Sequence, residues 1–178
     1  MAIDRYSKDY HLIDSVDERG RIRTETKYIG EAYVFQNGLD SARGAGKGLA
    51  ALCVFSWMAF LAALYFPSVA SHSVYAVLPC AFTALPLWFL SGVAVTALRV
   101  KEPFIHRDAD RFTLRLPAAA AFAAVLSAAA VLGATLALGL RGQAPLAGDC
   151  VFLGGNLVCF VCALLCRRLR DALAVQIS

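Results

Sequence analysis

Four long apolar runs constrain this chain more than any other feature of its sequence. They cover residues 49–66, 74–98, 118–140 and 150–166, and none carries a charged side chain or a histidine in its interior. A helix needs about 20 apolar residues, with a range of about 17–25, to cross a hydrocarbon core roughly 30 Å thick. The runs therefore predict an all-α integral membrane protein built as a four-transmembrane-helix bundle.

The composition agrees with this class. Hydrophobic residues make up 59% of the chain and charged residues 17%, whereas soluble domains have about 45–50% and about 25%. The first apolar run follows a long polar leader, so it does not have the layout of a cleaved signal peptide, which begins with a short basic region. We therefore expect this run to be retained as the first span.

Positive charge predicts how the bundle is oriented. The leader, residues 1–48, holds eight Lys or Arg, the segment 99–117 holds five, and the tail 167–178 holds three, while the other two connections hold one between them. Because Lys and Arg near span ends stay on the cytoplasmic side, both termini are predicted to be cytoplasmic. The charge favours anionic lipid head groups as partners, and nothing separate indicates nucleic acid. Short loops and alanine-rich spans are typical of a bacterial inner membrane.

Residues 41–48 read SARGAGKG, which raises the possibility of a phosphate-binding loop. Such a loop needs a first glycine and a hydroxyl after the lysine, but Ser41 and Gly48 stand at these positions. The helix that follows is also apolar on every side. We interpret Arg43 and Lys47 as lipid-surface anchors, and the glycines around them as a flexible hinge before the first span.

The leader has the pattern of strands. Residues 21–28 alternate charged residues with β-branched or aromatic ones, which places Ile22, Thr24, Thr26 and Tyr28 on one face. Residues 10–16 precede them across turn residues, and residues 31–35 follow. A three-stranded, β-meander-like cytoplasmic segment is predicted.

A meander of this size buries too little to be stable alone. Its apolar face must rest on the bundle, on lipid, on a second copy or on another membrane protein. We predict that the leader and the segment 99–117 form one surface that docks a partner; a self-contained cap on the bundle is the alternative. The docking residues predicted are Ile22, Tyr28, Tyr33, Phe35, Phe104 and Phe112.

The segment 99–117 has helical spacing. Ala109, Phe112 and Leu116 share a face opposite Asp108, Arg111 and Arg115. This pattern is typical of a short helix at the membrane interface, and a covering loop over the meander is equally consistent with its mixed charge. Proline at position 117 suits the first turn of the third span.

Two prolines interrupt the second span. Pro79 and Pro86 each remove a backbone hydrogen bond and clash one turn back, so this helix is predicted to bend or open, with a hydroxyl such as that of Thr83 satisfying the freed carbonyls. Broken helices occur at transporter binding sites. Proline is also common in ordinary spans, so the pattern alone does not establish transport.

Small residues in the last two spans predict close helix packing. Gly133, Gly154 and Gly155 allow backbones to approach, and Asn156 is expected to hydrogen-bond across the interface. Cys159, Cys162 and Cys166 share one face of the fourth span and are interpreted as packing residues, since thiolates are costly in lipid. A redox or metal role for them stays open.

No grouping of residues predicts catalysis, a cofactor or a metal site. The spans carry no ionisable residue of the kind that proton- or ion-coupled transporters use, and no paired carboxylates or Ser, His and acid grouping occurs at a span end. The sequence predicts a non-catalytic membrane subunit or scaffold that docks a partner. A transporter or channel component using the Pro79 to Pro86 break is the alternative.

Overall fold

The computed structural model describes residues 10–16, 22–142 and 145–177. The chain is mostly helical, with two pairs of short strands. The helices are α1 (Leu39–Tyr65), α2 (Val74–Phe82), α3 (Ala84–Arg99), α4 (His106–Asp110), α5 (Leu116–Arg141) and α6 (Ala147–Arg168). The strands are β1 (Tyr10–Val16), β2 (Ile22–Tyr28), β3 (Tyr33–Phe35) and β4 (Val175–Ile177).

Four helical stretches are long and apolar enough to cross a membrane, as predicted. They are Leu39–Tyr65, Val74–Arg99, His106–Leu140 and Ala147–Arg168. α5 packs against α2, α3 and α6, and α1 packs against α3 and α6. Large apolar side chains cover the outside of this bundle: Phe55 is 65% exposed, Trp88 72% and Phe122 67%. An apolar surface of this extent is typical of a membrane or protein interface.

α1 begins ten residues before the apolar run does. The predicted glycine hinge is therefore wrong from Leu39 onward, because Gly44, Gly46 and Gly48 lie inside the helix. A Cβ built on Gly46 would meet Ala97 of α3 at 3.1 Å, so this glycine serves close helix packing. Gly38, just before the helix, has a φ of 77° and makes the turn into it.

The short strands lie at one end of the bundle, where α1 and α5 begin and α3 and α6 end. We call this the strand end, and the end that carries residues 66–73, 142 and 145–146 the loop end. β3 is central at the strand end. On one edge Tyr33 exchanges backbone hydrogen bonds of 2.9 and 3.0 Å with Phe104, and on the other edge β3 pairs antiparallel with β4.

The predicted meander is wrong in its third strand. β1 and β2 do pair antiparallel, from Tyr10 opposite Tyr28 to Val16 opposite Ile22, whereas β3 leaves them and pairs with β4 from the far end of the chain. The predicted turn at residues 17–20 lies outside the described residues. The tail 167–178, expected to be a basic extension, thus supplies a strand to the fold.

α4 and α5 form one continuous helix with a π-helical turn at Arg111–Arg115 between them. Pro117 has no N–H to give the Thr113 carbonyl, and widening the helix just before a proline relieves the clash one turn back. Ala109, Phe112 and Leu116, predicted to share a face, are all buried. Pro117 therefore lies inside a longer helix, and not in the first turn of a separate span.

The second span is broken at Thr83, between α2 and α3. Thr83 is fully buried, and both its N–H and its hydroxyl donate to the Pro79 carbonyl, at 3.1 and 3.0 Å. That carbonyl is not one of those that the prolines free. Pro79 deprives the Tyr75 carbonyl of its donor and Pro86 deprives that of Phe82, so the expected role of the Thr83 hydroxyl is not the one observed.

Candidate docking site at the strand end

Three phenylalanines from separate parts of the chain form a buried cluster at the strand end. Phe35 comes from β3, Phe104 from the segment after α3, and Phe112 from the π-helical turn. Their ring centroids lie 4.9 to 6.1 Å apart with edge-to-face or tilted geometry, the arrangement that aromatic quadrupoles favour. They are only 3%, 5% and 1% exposed. The cluster therefore joins the leader to the segment 99–117.

Polar contacts fix β3 in place beside this cluster. The Phe35 N–H donates to Glu102 Oε1 at 2.7 Å, so a carboxylate caps a backbone donor that faces away from β4. On the opposite side the Gln36 N–H donates to the Ala174 carbonyl at 2.9 Å, and the Asn37 side chain donates to the Asp171 carbonyl at 3.1 Å. β3 and the two residues after it are thus held from both sides by backbone and side-chain bonds.

A chain of polar side chains leads from the end of β2 to α4. The Tyr28 hydroxyl donates to the Glu31 carbonyl at 2.8 Å and accepts from the His106 N–H at 3.1 Å. The Tyr33 hydroxyl lies 3.1 Å from Glu31 Oε2 and 3.3 Å from His106 Nδ1. The other ring nitrogen of His106 faces Asp110 Oδ1 at 3.6 Å. Through these contacts the β1–β2 hairpin is attached to the helix bundle.

Burial and the neighbouring acid shape the chemistry of Tyr33. Desolvation raises the pKa of this phenol above its ordinary value, and the hydrogen bond and negative charge of Glu31 raise the pKa further. Tyr33 therefore remains a neutral hydrogen-bonding group well into the alkaline range.

Arg111 ties the π-helical turn to the end of α3. Its guanidinium donates to the Thr96 hydroxyl and lies 3.5 Å from Asp108. Thr96 in turn donates to the Gly92 carbonyl of its own helix at 2.9 Å. Because Arg111 is engaged with neighbours inside the protein, the turn keeps a fixed orientation on α3.

The structure divides the predicted docking residues into two groups. Phe35, Phe104 and Phe112 are inside the protein and cannot contact a partner, so their predicted docking role is wrong. Tyr28 and Tyr33 are partly exposed, and Ile22 begins β2. Amphipathic spacing identified the buried face correctly but gave no information on what covers it.

Sequence reasoning missed Glu31, Glu102, His106 and β4. The first three are single polar residues whose partners lie far away in sequence. β4 carries a faint signal, the alternation of Val175, Gln176 and Ile177, which is too short to predict a strand.

Two of the three glycines predicted for helix packing lie against a neighbouring backbone. A Cβ built on Gly133 would lie 2.9 Å from the Ala76 nitrogen and closer still to the Tyr75 carbonyl, and one built on Gly155 would lie 2.7 Å from the Ala59 carbonyl oxygen. Gly154 is exposed and has nothing within 4 Å, so it is not in the interface. Gly148, which was not predicted, lies against Pro67 at the loop end.

The close approach at Gly133 has a chemical cause. Pro79 leaves the Tyr75 carbonyl without its helical donor, and this carbonyl points at Gly133. A glycine Cα–H can donate a weak hydrogen bond to a carbonyl, and it is the only residue type whose backbone comes near enough. The proline in α2 and the glycine in α5 thus act as a pair.

Asn156 and Asp149 supply buried polar contacts along α6. The Asn156 amide donates to the Phe152 carbonyl of its own helix at 2.9 Å, whereas the prediction was a bond across the helix interface. Asp149, fully buried near the loop end, accepts the Ala70 N–H at 3.0 Å and the Leu146 N–H at 2.9 Å. Asp149 therefore caps α6 and holds the loop after α1 at the same time.

Of the four cysteines in α6, Cys159, Cys162 and Cys166 are buried, as predicted for one packing face, and Cys150 is exposed. The Cys159 thiol donates to the Ser56 carbonyl of α1 at 3.4 Å. In the part of the chain that the structure describes, no three His, Cys, Asp or Glu side chains converge into a metal-binding group. The contacts described here are those of packing residues.

The chain was compared with known families, proteins and structures. No protein-family model, no curated protein and no solved structure matches the chain.

Proposed function

We propose that this chain is a multi-pass membrane protein of the bacterial inner membrane that acts as a non-catalytic docking subunit. In this proposal the β1–β2 hairpin receives the partner, which is another membrane protein or a second copy. The observation that carries the proposal is the hairpin itself: a two-stranded sheet that is anchored at Tyr28 and has no partner strand on either edge among the described residues.

Membrane insertion is supported by the surface of the bundle. The side chains that face outward along the four long helices are mainly apolar, while sixteen of the seventeen Lys and Arg belong to the leader, the segment 99–117 and the tail. Positive residues near span ends are retained in the cytoplasm. This asymmetry supports a strand end, and with it the hairpin and both termini, on the cytoplasmic side.

The hairpin has the properties of a strand-addition site. A sheet of two strands has two outer edges, and among the described residues neither edge of the β1–β2 sheet has a partner strand. An isolated hairpin is marginally stable in water, and unpaired edges accept a further strand from another chain. A partner that adds a strand would satisfy both requirements.

The hairpin is also held where a partner can reach it. Tyr28, the last residue of β2, bonds both the Glu31 carbonyl and the His106 N–H. Tyr33 is close by and half-buried. A partner on the hairpin would therefore contact the polar chain that leads to α4, so that docking and the strand-end fold are mechanically connected.

The docking proposal is tested by the mass of the complex extracted in mild detergent. The test variant replaces residues 10–27 with a Gly-Ser linker of equal length, which leaves Tyr28 in place. The control is Tyr65→Ala, which removes a side chain that is 82% exposed near the loop end. We expect the native chain and the control to carry a second polypeptide in fixed ratio, and the linker variant to lose it.

If the linker variant keeps the same mass and composition as the native complex, the hairpin is not the docking site. We expect the linker variant to keep its thermal unfolding midpoint, because Tyr28 and its bonds to the bundle are retained; this measurement separates lost docking from lost folding.

The proposed orientation has its own test. Ser71→Cys at the loop end and Lys101→Cys at the strand end are placed in a background with the six native cysteines replaced. In intact cells an impermeant maleimide should label position 71 and leave position 101 unlabelled until the membrane is opened. Labelling in the reverse order would reject the cytoplasmic strand end.

A transport or channel component is the second candidate. It is favoured by the break at Thr83 between Pro79 and Pro86, and by the Ser127 hydroxyl, which is buried in α5 and makes no hydrogen bond within the described ranges. Pro86→Ala and Ser127→Ala should each change flux in proteoliposomes if this candidate holds. Flux that is the same for both variants and the native chain would remove it.

A further inference from the structure

An apolar groove runs along the outer surface of the bundle between α3 and α5. It has a volume of about 520 Å³. Phe82, Pro86 and Phe89 line one wall, beginning at the break in the second span, and Ala118 and Phe122 line the other. Arg115 lies at the end of the groove nearer the strand end and is the one charged residue among the described residues that line it.

Arg115 differs from the neighbouring Arg111 in its ionic contacts with the described residues. Arg111 bonds Thr96 and Asp108, whereas the exposed Arg115 has no carboxylate within 4.0 Å among the residues that the structure describes. The π-helical turn, which ends at Arg115, sets the direction in which this residue leaves the helix. A cation is thus available at the mouth of an apolar groove.

The length of the groove matches one leaflet of a bilayer. The wall formed by Arg115 and α5 extends to Leu126, and these eleven helical steps span about 16 Å at roughly 1.5 Å per residue. Half of a hydrocarbon core of about 30 Å is about 15 Å. An acyl chain in the groove would therefore end near the bilayer centre, at the break in the second span, when its phosphate lies beside Arg115.

We propose that this groove binds one anionic phospholipid from the leaflet at the strand end. One acyl chain lies between the aromatic wall of α3 and the small Ala118 of α5, and the phosphate accepts hydrogen bonds from the Arg115 guanidinium. The inference rests on the membrane insertion in the proposed function, but not on docking by the hairpin. Charge complementarity selects a phospholipid over an apolar helix, which would leave Arg115 unpaired.

The experiment is native mass spectrometry of the full chain in mild detergent. The added probes are phosphatidylglycerol and phosphatidylcholine with identical acyl chains. Arg115→Gln removes the cation, Ala118→Phe fills the groove without changing charge, and Arg99→Gln removes an exposed cation from the end of α3 outside the groove. Ala118 is exposed, so its substitution does not disturb the helix core.

We expect the native chain to retain one phosphatidylglycerol in preference to phosphatidylcholine. Loss of a charge-assisted contact should weaken that binding about tenfold in Arg115→Gln, with a change of less than about twofold in Arg99→Gln. Ala118→Phe should weaken the binding of both lipids. Equal retention of the two lipids by the native chain, equal effects of the two arginine substitutions, or a second protein chain in place of lipid would overturn the proposal.

The same samples separate this site from the docking site. Arg115→Gln should leave the second polypeptide bound, and replacement of residues 10–27 should leave the lipid bound. If lipid selectivity is absent while the protein complex is intact, only the lipid-binding proposal is rejected. If the lipid binds selectively but no second polypeptide depends on residues 10–27, only the docking proposal is rejected.

Discussion

Adjacent glycines in α6 offer a matched test of helix packing. Gly155 faces α1, where a Cβ would lie 2.7 Å from the Ala59 carbonyl oxygen and 3.0 Å from the Ala63 Cβ, whereas a Cβ on Gly154 would have nothing within 4 Å. Gly154→Ala and Gly155→Ala therefore make the same chemical change in the same turn of one helix, and only the second meets another helix.

The magnitudes follow from these distances. To reach an ordinary carbon–oxygen contact of about 3.3 Å, α1 and α6 must separate by about 0.6 Å at Gly155. Overpacking of this kind costs about 1–3 kcal/mol, while alanine gains up to about 1 kcal/mol over glycine in a helix. We expect Gly155→Ala to lower the free energy of unfolding by up to about 2 kcal/mol, and Gly154→Ala to leave it unchanged or raise it.

Reversible unfolding by sodium dodecyl sulfate in mixed micelles, followed by the fluorescence of Trp57 and Trp88, measures both variants. Gly133→Ala should lower the free energy of unfolding more than Gly155→Ala does, since its Cβ would lie closer to the backbone of Tyr75 and Ala76. Equal free energies for Gly154→Ala and Gly155→Ala would refute the packing argument.

Three further predictions concern the ends of the bundle. Phe112→Ala should lower the free energy of unfolding by about 3–5 kcal/mol, as for other buried phenylalanines, and should increase amide exchange in β3. Phe112→Leu should lower the free energy of unfolding by less than half as much. A loss from Phe112→Ala as small as that of a substitution at an exposed site would contradict the buried cluster. Asp149→Ala leaves the Ala70 and Leu146 N–H groups unsatisfied, at about 1–3 kcal/mol each, whereas Asp149→Asn keeps one acceptor and should lie between that variant and the native chain; equal stabilities for all three would show that these bonds contribute nothing. The raised pKa of Tyr33 means that its neutral form is favoured in the folded state, so its contribution to stability is full below the unfolded value of 10.0 and is lost as pH rises through the folded pKa. In an ultraviolet titration of tyrosinate, the native chain should show one phenol that ionises at higher pH than an ordinary tyrosine, and Tyr33→Phe should lack this step. A difference between the two curves that is centred at the ordinary pKa would reject the shift.

The apolar runs predicted the four helices, because burial in lipid depends on composition over a long window and needs no tertiary information. The start of α1 was missed because the prediction relied on apolar composition alone. Arg43 and Lys47 lie before the apolar run, but a helix continues through charged residues where propensity and packing allow it. Here the contact of Gly46 with Ala97 supports the longer helix.

The strand end was harder to predict because its order comes from contacts between distant residues. β3 and β4 are three residues each, too short to carry a period of two that can be distinguished from chance. The spacing of Ala109, Phe112 and Leu116 predicted an apolar face. Only tertiary structure shows that β3 and Phe104 cover it, which turned expected docking residues into core.

The pairing of β3 with β4 also determines when the strand end can fold during translation. Val175 is 140 residues after Phe35, and translation at about 5–20 residues per second takes about 7 to 28 s to cover that distance. During this interval the helices can form while one edge of β3 stays open. The strand end is thus assembled last, and a chain interrupted before Val175 would hold its four long helices but leave that edge unpaired for chaperones or proteases to recognise.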